Sequence, residues 1–321
     1  MPELPTQPVT QFDVTAIGDA YVELRAAETS LPEAKTFERH LAGSAAHVAV
    51  YTTMLGGSSA LIASLGADAL GTFVQNFLRQ HKVNVVGLQF SREFPTTLLF
   101  AARAGRILQT TYYRLADWQL HNTKDHVILA QSARIVHGSG FCLWKHPARH
   151  SVFEILRLTK KFNSTTVLQP HYEPALWRDR DDALATIKKT LQFTDIATPT
   201  VDDAEHLFGK SAREEYVKKF HDLGVKQVIL TMGKDGCLVS SGAGITHVDP
   251  VEAKVIDPMG VNEAWHAGLY HAMNSGKDLA SAAYFANAVA AWVLQQTGSL
   301  VPLPTPAELA LGMTGRTFAD L

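Results

Sequence analysis

The chain has 321 residues, 46% of them hydrophobic and 19% charged, with a formal net charge of −2. That is ample apolar material for one large domain or two ordinary ones, and so balanced a charge gives no electrostatic ground for binding nucleic acid or an anionic membrane. Its two cysteines, Cys142 and Cys237, are too few and too far apart for a disulfide framework or a zinc site, so both are expected to be reduced, partly buried thiols of a cytoplasmic protein.

Residues 1–10 are polar and proline-rich and read as a loose tail, without the basic start and apolar stretch of a signal peptide. No apolar run reaches membrane-spanning length. Phe12 to Gly18 reads as a strand ending in glycine, and Tyr21 to Leu24 as a second strand. Ala45 to Leu55 is an alanine-rich helix stopped by Gly56 and Gly57. A strand at Ser59 to Leu65 precedes a helix from Gly71 to His81, and two β-rich runs, Thr97 to Ala102 and Gln109 to Arg114, form a hairpin around 103–106. From residue 120 onward, helical stretches at 124–130, 150–162, 182–191 and 212–223 alternate with short apolar runs at 133–137, 165–168, 196–198 and 227–231. Such alternation is how βα units build a mostly parallel sheet covered by helices. A strand at Ala253 to Ile256 and helices at Ala264 to Met273 and Leu279 to Gln296 complete the body.

Two stretches carry candidate chemistry. In Asp257 to Gly268 (DPMGVNEAWHAG) a small-residue turn leads into a helix beginning near Glu263. The first N–H groups of a helix have no intrahelical acceptor and suit an anion. A carboxylate beside them can take a proton from an attacking hydroxyl, and phosphoryl transfer needs both together. The plainer reading is an N-capped helix in which Asn262 and Glu263 complement the dipole. Leu230 to Val239 (LTMGKDGCLV) reads as strand, Gly/Asp turn, strand, which a common turn explains equally well. Neither a Walker-type G-x-x-x-x-G-K-[ST] nor a G-x-G-x-x-G after a strand occurs, so any nucleotide is held by another scheme.

Seven segments, in order, resemble the ribokinase (PfkB) family of sugar kinases. Leu41 to Val50 (LAGSAAHVAV) is similar to G-G-x-x-x-N-V-A, and Gly66 to Gly71 (GADALG) to G-x-D-x-x-G. Tyr112 to Asp117 (YYRLAD) and Gln169 to Trp177 (QPHYEPALW) resemble the Y-R-x-x-A-D and D-x-N-x-R-x-x-L-W stretches of the fructokinase and ketodeoxygluconate-kinase branch. Thr231 to Gly236 fits T-x-G-x-x-G, Asp257 to Gly268 resembles D-T-T-G-A-G-D-x-F-x-A-G, and Phe285 to Ala291 is similar to the late adenine-side helix.

The resemblance implies a single ribokinase-like α/β domain over 1–321, a central, mostly parallel sheet between helices, with a small β lid from roughly 20–42 and 95–115. It implies ATP with Mg2+ across the C-terminal half, near Thr231, Gly233, Gly236, Asp257, Asn287, Thr200 and Asp203. Glu263 corresponds to the catalytic base, and the backbone of Gly260, Val261 and Asn262 to the anion cradle. The sugar falls near Glu23, Gly43, His47, Arg114, Gln169 and His171. A metal site built on His47 and His171 lacks a further ligand at suitable spacing. Relatives often pair through their lids, so a homodimer and a monomer are both compatible.

The departures fall where the chemistry is. Glu263 stands for the family's aspartate, Asn262 for a glycine, and Pro258 and Met259 for two threonines. The N-x-x-E motif is Thr200 to Asp203, the signature asparagine is His47, the early aspartate is Glu23, and D-x-N-x-R has become Gln169, His171 and Glu173. Two readings follow: a kinase with Glu263 as base, since the reference pKa values of Glu and Asp lie within about half a unit, or a non-catalytic binder that keeps the pocket. A nucleoside kinase of the same fold is a third. Glu173 would repel an acidic sugar, so a neutral sugar or polyol is the expected ligand.

Overall fold

The computed structural model describes residues 11–312, apart from 29, 105–106, 178 and 242–243. In chain order, β1 (Phe12–Ile17) and β2 (Tyr21–Ala26) are followed by β3 (Phe37–Ala42), α1 (Ser44–Met54), β4 (Ser59–Gly66) and α2 (Ala69–Gln80). Then come β5 (Leu88–Ser91), β6 (Leu98–Ala104) and β7 (Ile107–Tyr113), and a βα series of α3 (Lys124–Gln131), β8 (Ala133–Ser139), α4 (Ala148–Thr159), β9 (Thr165–Gln169), α5 (Arg180–Leu191) and β10 (Ile196–Ala197). The chain continues through α6 (Val201–Phe208), α7 (Arg213–Asp222), β11 (Gln227–Thr231), β12 (Cys237–Ser240), β13 (Ile245–Val248), α8 (Val261–Asn274), α9 (Leu279–Leu294) and α10 (Pro306–Gly312).

Nine strands form one sheet in the order β13-β12-β11-β10-β9-β8-β1-β4-β5. From β5 to β11 every pairing is parallel, and β12 and β13 close one edge antiparallel. All eight residues of β4 are buried, as expected for a parallel strand covered on both faces. Apolar residues of α3, α4, α5, α6 and α7 pack on one face, and those of α1, α2, α8 and α9 on the other. Because β1, β4, β8, β9, β10 and β11 run the same way, their carboxyl ends share one rim, where ligands of open α/β sheets bind.

A second, four-stranded sheet has the order β3-β2-β6-β7, with β2 and β6 parallel. The G-x-D-x-x-G segment fastens it. Asp68 caps α2 by accepting from the Leu70 and Gly71 N–H groups at 3.0 and 2.8 Å, and it also accepts from the N–H and Oγ1–H of Thr96, just ahead of β6, both at 2.8 Å. A Cβ on Gly66 would lie 2.3 Å from Thr96 N, and one on Gly71 2.1 Å from Gly66 O, so no side chain fits at either position.

Three expectations are corrected or left outside. No strand forms at Ala253 to Ile256: the segment pairs with no strand, the Ile256 and Asp257 N–H groups donate instead to Leu294 O at the end of α9 at 2.8 and 3.3 Å, and Val255 and Ile256 stand 63% and 53% exposed. Helix α6 is real although no helix was expected at 201–208. The hairpin turn at Gly105 and Arg106 lies outside the described residues, as do the tail at 1–10 and residues 313–321. Among the described residues, no helix is long and apolar enough to cross a membrane.

Candidate functional site

The turn ahead of α8 is built around Gly260. Its φ of 74° is left-handed, and a Cβ there would sit 1.9 Å from the Ser299 carbonyl oxygen, so only glycine fits. Asp257 holds the turn from the other side. Its Oδ1 accepts from Met259 N–H at 3.1 Å and from Arg103 at 2.9 Å, and its Oδ2 accepts from Gly298 N–H at 3.1 Å. The carboxylate expected on the nucleotide side is thus committed to the protein. The helix ladder starts with Ala264 N–H on Gly260 O at 3.0 Å, which leaves the N–H groups of Val261, Asn262 and Glu263 without intrahelical acceptors.

Glu263 sits in the first turn of α8, and its Oε1 accepts from Ser44 Oγ–H at 3.0 Å. Ser44 opens α1 directly after Gly43, which has a φ of 112°. A Cβ on Gly43 would lie 2.5 Å from Asp19 O, so this position again requires glycine. Gln169 Oε1 lies 3.2 Å from the Ser44 hydroxyl. Gln169, Ser44 and Glu263 therefore form one polar chain across the sheet rim. Neither sequence motif announced the contact between Ser44 and Glu263, which spans 219 residues.

Beside it, the buried residues Ser139, Gln169 and Thr198 end β8 and β9 and follow β10, and Thr198 Oγ1 meets His266 Nε2 at 2.8 Å. His266 Nδ1 in turn meets Asn262 O at 2.7 Å, which ties the first turn of α8 to the sheet. Burial lowers the His266 pKa to about 4, so the ring is neutral at ordinary pH. His137 Nδ1 meets Tyr270 OH at 2.7 Å, and burial, with His266 and His171 nearby, lowers that imidazole well below its ordinary value.

The residues expected around the sugar are placed unequally. Gln169 lies at the rim, and His171, at φ 43°, packs against Phe141 with ring centroids 4.9 Å apart. His47 Nε2 meets Leu41 O at 3.0 Å, so that nitrogen is occupied within the protein. Glu23 is buried, with both oxygens held by Arg25 at 2.8 and 3.3 Å. Arg114 is also buried, ion-paired with Asp117 and lying 4.1 Å over the Phe141 ring. It is a structural cation as much as a rim residue. Tyr21 and Tyr112, on β2 and β7 with both rings packed on Phe141, keep their hydroxyl protons: burial pushes both pKa values up, that of Tyr112 to about 12. Asp19 and Ser44 escaped the sequence reading, although Asp19 follows the glycine after β1 and Ser44 follows Gly43.

On the nucleotide side, Thr231 ends β11, and Gly233 and Gly236 take φ of 58° and 77° in the turn to β12. A Cβ on Gly236 would lie 2.1 Å from Val248 O. Thr200 and Asp203 form a capping box on α6, and Asp203 Oδ1 also accepts from Tyr172 N–H at 2.7 Å. Asn287 accepts from Trp265 Nε1–H at 2.9 Å and donates to Asp249 O at 2.7 Å, so its amide joins α8, α9 and the segment after β13. Among the described residues, no group of three or more His, Cys, Asp or Glu side chains is arranged to hold a metal. Magnesium seldom uses an all-protein cage and is usually held by one or two carboxylates together with substrate phosphates, a role open to Asp203, whose Oδ1 has lone-pair capacity beyond its single hydrogen bond.

A mostly parallel sheet between helices, with a helix N-terminus and a carboxylate at the strand ends beside a second small sheet, is a ribokinase-like fold. A family model described as pfkB family carbohydrate kinase matches residues 11–306, and the chain belongs to that family. The ATP-dependent 6-phosphofructokinase of Thermoanaerobacterium thermosaccharolyticum is 30% identical over 295 residues, covering 92% of this chain and 91% of that protein. The 2-dehydro-3-deoxygluconokinase of Thermoproteus tenax is 30% identical over 307 residues, covering 92% and 93%. The structure of Halothermothrix orenii fructokinase superposes with a TM-score of 0.76 at 28% identity, over 90% of this chain and 100% of that one.

Proposed function

We propose that this chain transfers the γ-phosphoryl group of ATP to a hydroxyl of a small neutral sugar or polyol. The observation that carries the reading is Glu263, held by Ser44 at 3.0 Å in the same helical turn whose free N–H groups face an incoming anion. With Oε1 engaged by Ser44, Oε2 is left to accept the proton of the attacking hydroxyl. The N–H groups of Val261, Asn262 and Glu263 stabilise the negative charge on the migrating phosphoryl oxygens, and the α8 dipole adds to them. Kinase-named relatives at 30% identity over more than nine-tenths of the chain support the same class.

The turn from Thr231 to Gly236, which brings backbone close to the rim, and the exposed Val255 and Ile256 ahead of Asp257 offer polar and apolar faces for the nucleotide. Magnesium, bound with the nucleotide, supplies charge neutralisation, and Asp203 is the carboxylate assigned to its water shell.

The test is ADP release with Mg-ATP against a panel of neutral sugars, polyols, sugar acids and nucleosides. A sugar-dependent signal is expected, with Glu263→Gln losing turnover while its ATP affinity stays within about threefold. Equal turnover by the variant removes Glu263 from the role of base. Silence across the panel, with thermal stabilisation by ATP, identifies a binder without turnover.

A further inference from the structure

We infer that Arg103 is a positioning residue that latches the four-stranded sheet onto the turn ahead of α8, so that closing the sheet over the substrate also neutralises the charge beside the anion cradle. The inference deepens the proposed function and rests on it.

The sheet is held at two places. Beside its start, Asp68 accepts from the N–H and Oγ1–H of Thr96, just ahead of β6. Near the other end of β6, Arg103 donates to Asp257 Oδ1 at 2.9 Å, across 154 residues. At about 3.3 Å per residue, Thr96 and Arg103 stand roughly 20 Å apart. Among the described residues, this is the one ion pair between that sheet and the C-terminal half of the chain. Strand alternation puts Arg103 on the same face as the buried Ala101 and Leu99, and Glu23 and Arg25 share it through their register with those two. Arg25 lies within reach of the Asp257 charge as well, but its guanidinium is already forked on Glu23 at 2.8 and 3.3 Å.

Asp257 stands three positions ahead of Gly260, in the turn that leads to the free N–H groups of Val261, Asn262 and Glu263. It is buried, and its other two donors, Met259 N–H and Gly298 N–H, are uncharged. With Arg103 away, a carboxylate without a counter-charge would stand beside the cradle and oppose the phosphates held there. With Arg103 in place that charge is cancelled, and the guanidinium arrives only when the sheet lies across the strand ends.

The pair is also built to open. Arg103 is 33% exposed, and ion pairs open to water are weak, so this one can break and re-form. A substrate enclosed beneath the sheet and a nucleotide seated on the cradle both favour the paired state. Two ligands that favour one state tighten each other's binding by the same factor.

Arg103→Met removes the charge and leaves Asp257 its two backbone donors; Arg103→Met with Asp257→Asn removes both charges. Calorimetry measures the nonhydrolysable analogue AMP-PNP with Mg2+, alone and with whichever of D-fructose, D-glucose, D-ribose, sorbitol, myo-inositol or D-gluconate binds wild type best. In wild type each ligand should tighten the other at least about fivefold. In Arg103→Met that factor should fall below about twofold, with the AMP-PNP Kd about tenfold higher and kcat lower by a similar factor. The double variant should recover AMP-PNP affinity to within about threefold of wild type while the coupling stays lost. Hydrogen exchange without ligands should run at least about fivefold faster in Arg103→Met, in peptides from both 98–104 and 257–264. Coupling that survives in Arg103→Met, no coupling in wild type, no recovery in the double variant (the mark of a direct contact with the nucleotide) or unchanged exchange in either segment overturns the inference. Where no sugar binds, or the double variant fails to fold, the exchange result decides alone. Binding and exchange as expected, with no ADP formed from Mg-ATP and the sugar, refute the kinase reading and leave the latch standing.

Discussion

Replacing Gly260 with alanine puts the geometry ahead of α8 to a direct test. A left-handed backbone costs an L-residue about 1–2 kcal/mol, and the contact adds to it. The new Cβ would start 1.9 Å from Ser299 O, whereas real Cβ contacts essentially never fall below 3.0 Å, so about 1.1 Å of movement is required. The far side is not free to yield: Ser299 O accepts from Tyr51 OH at 3.0 Å, that hydroxyl accepts from Val301 N–H at 3.2 Å, and Gly298 N–H is held by Asp257. The shift therefore falls on the first turn of α8, which carries Glu263 and the free N–H groups. A misplacement of about 1 Å can cost on the order of 100-fold in rate. With the best sugar of the panel, kcat in Gly260→Ala should fall by about that factor. The melting temperature should drop by a few degrees, since a chain of this length shifts by less than the roughly 2–4 °C per kcal/mol of a shorter domain. A variant with kcat within threefold of wild type and an unchanged melting temperature refutes the argument.

Two further outcomes follow from buried groups. Arg114→Met leaves Asp117, which is 0% exposed, without its counter-charge, and should cost about 3–5 kcal/mol in urea denaturation; a loss below about 1 kcal/mol contradicts a buried pair. Burial lowers His266 to about 4, against about 6.5 in an unfolded chain, so between those values the unfolded state binds the extra proton. Stability from this group is complete above pH 6.5 and is lost as pH falls toward 4, by roughly 3 kcal/mol, with His137 acting in the same direction. His266→Gln should flatten the fall of melting temperature with pH across that window, and parallel curves for the two proteins would show that His266 titrates normally.

The alternation of helical and apolar runs from residue 120 onward was legible because both periodicities are local, and β11 begins and ends where the sequence placed it, at Gln227 and Thr231. The helix start at residues 260–263 was also readable, since a small-residue turn followed by Asn262 and Glu263 suits the first turn of a helix. The missed helix α6 and the absent strand at 253–256 were decided by partners. Val201 to Phe208 packs Ala204 and Leu207 into the core, whereas Val255 and Ile256 stay exposed and the backbone there turns to Leu294 O of α9.

The sequence by itself determined most of the βα alternation and the sheet class, because propensity and alternation are properties of neighbouring residues. Only the tertiary structure decided which charges remain available. Glu23 and Asp19 are four positions apart in the chain, yet one is neutralised by Arg25 and the other keeps a free oxygen. Ser44 reaches Glu263 across 219 residues, and Arg114 turns to Asp117. Hydrogen bonds and ion pairs form between groups within about 3 Å in space, and sequence order does not record that distance until the sheet has brought its strand ends together.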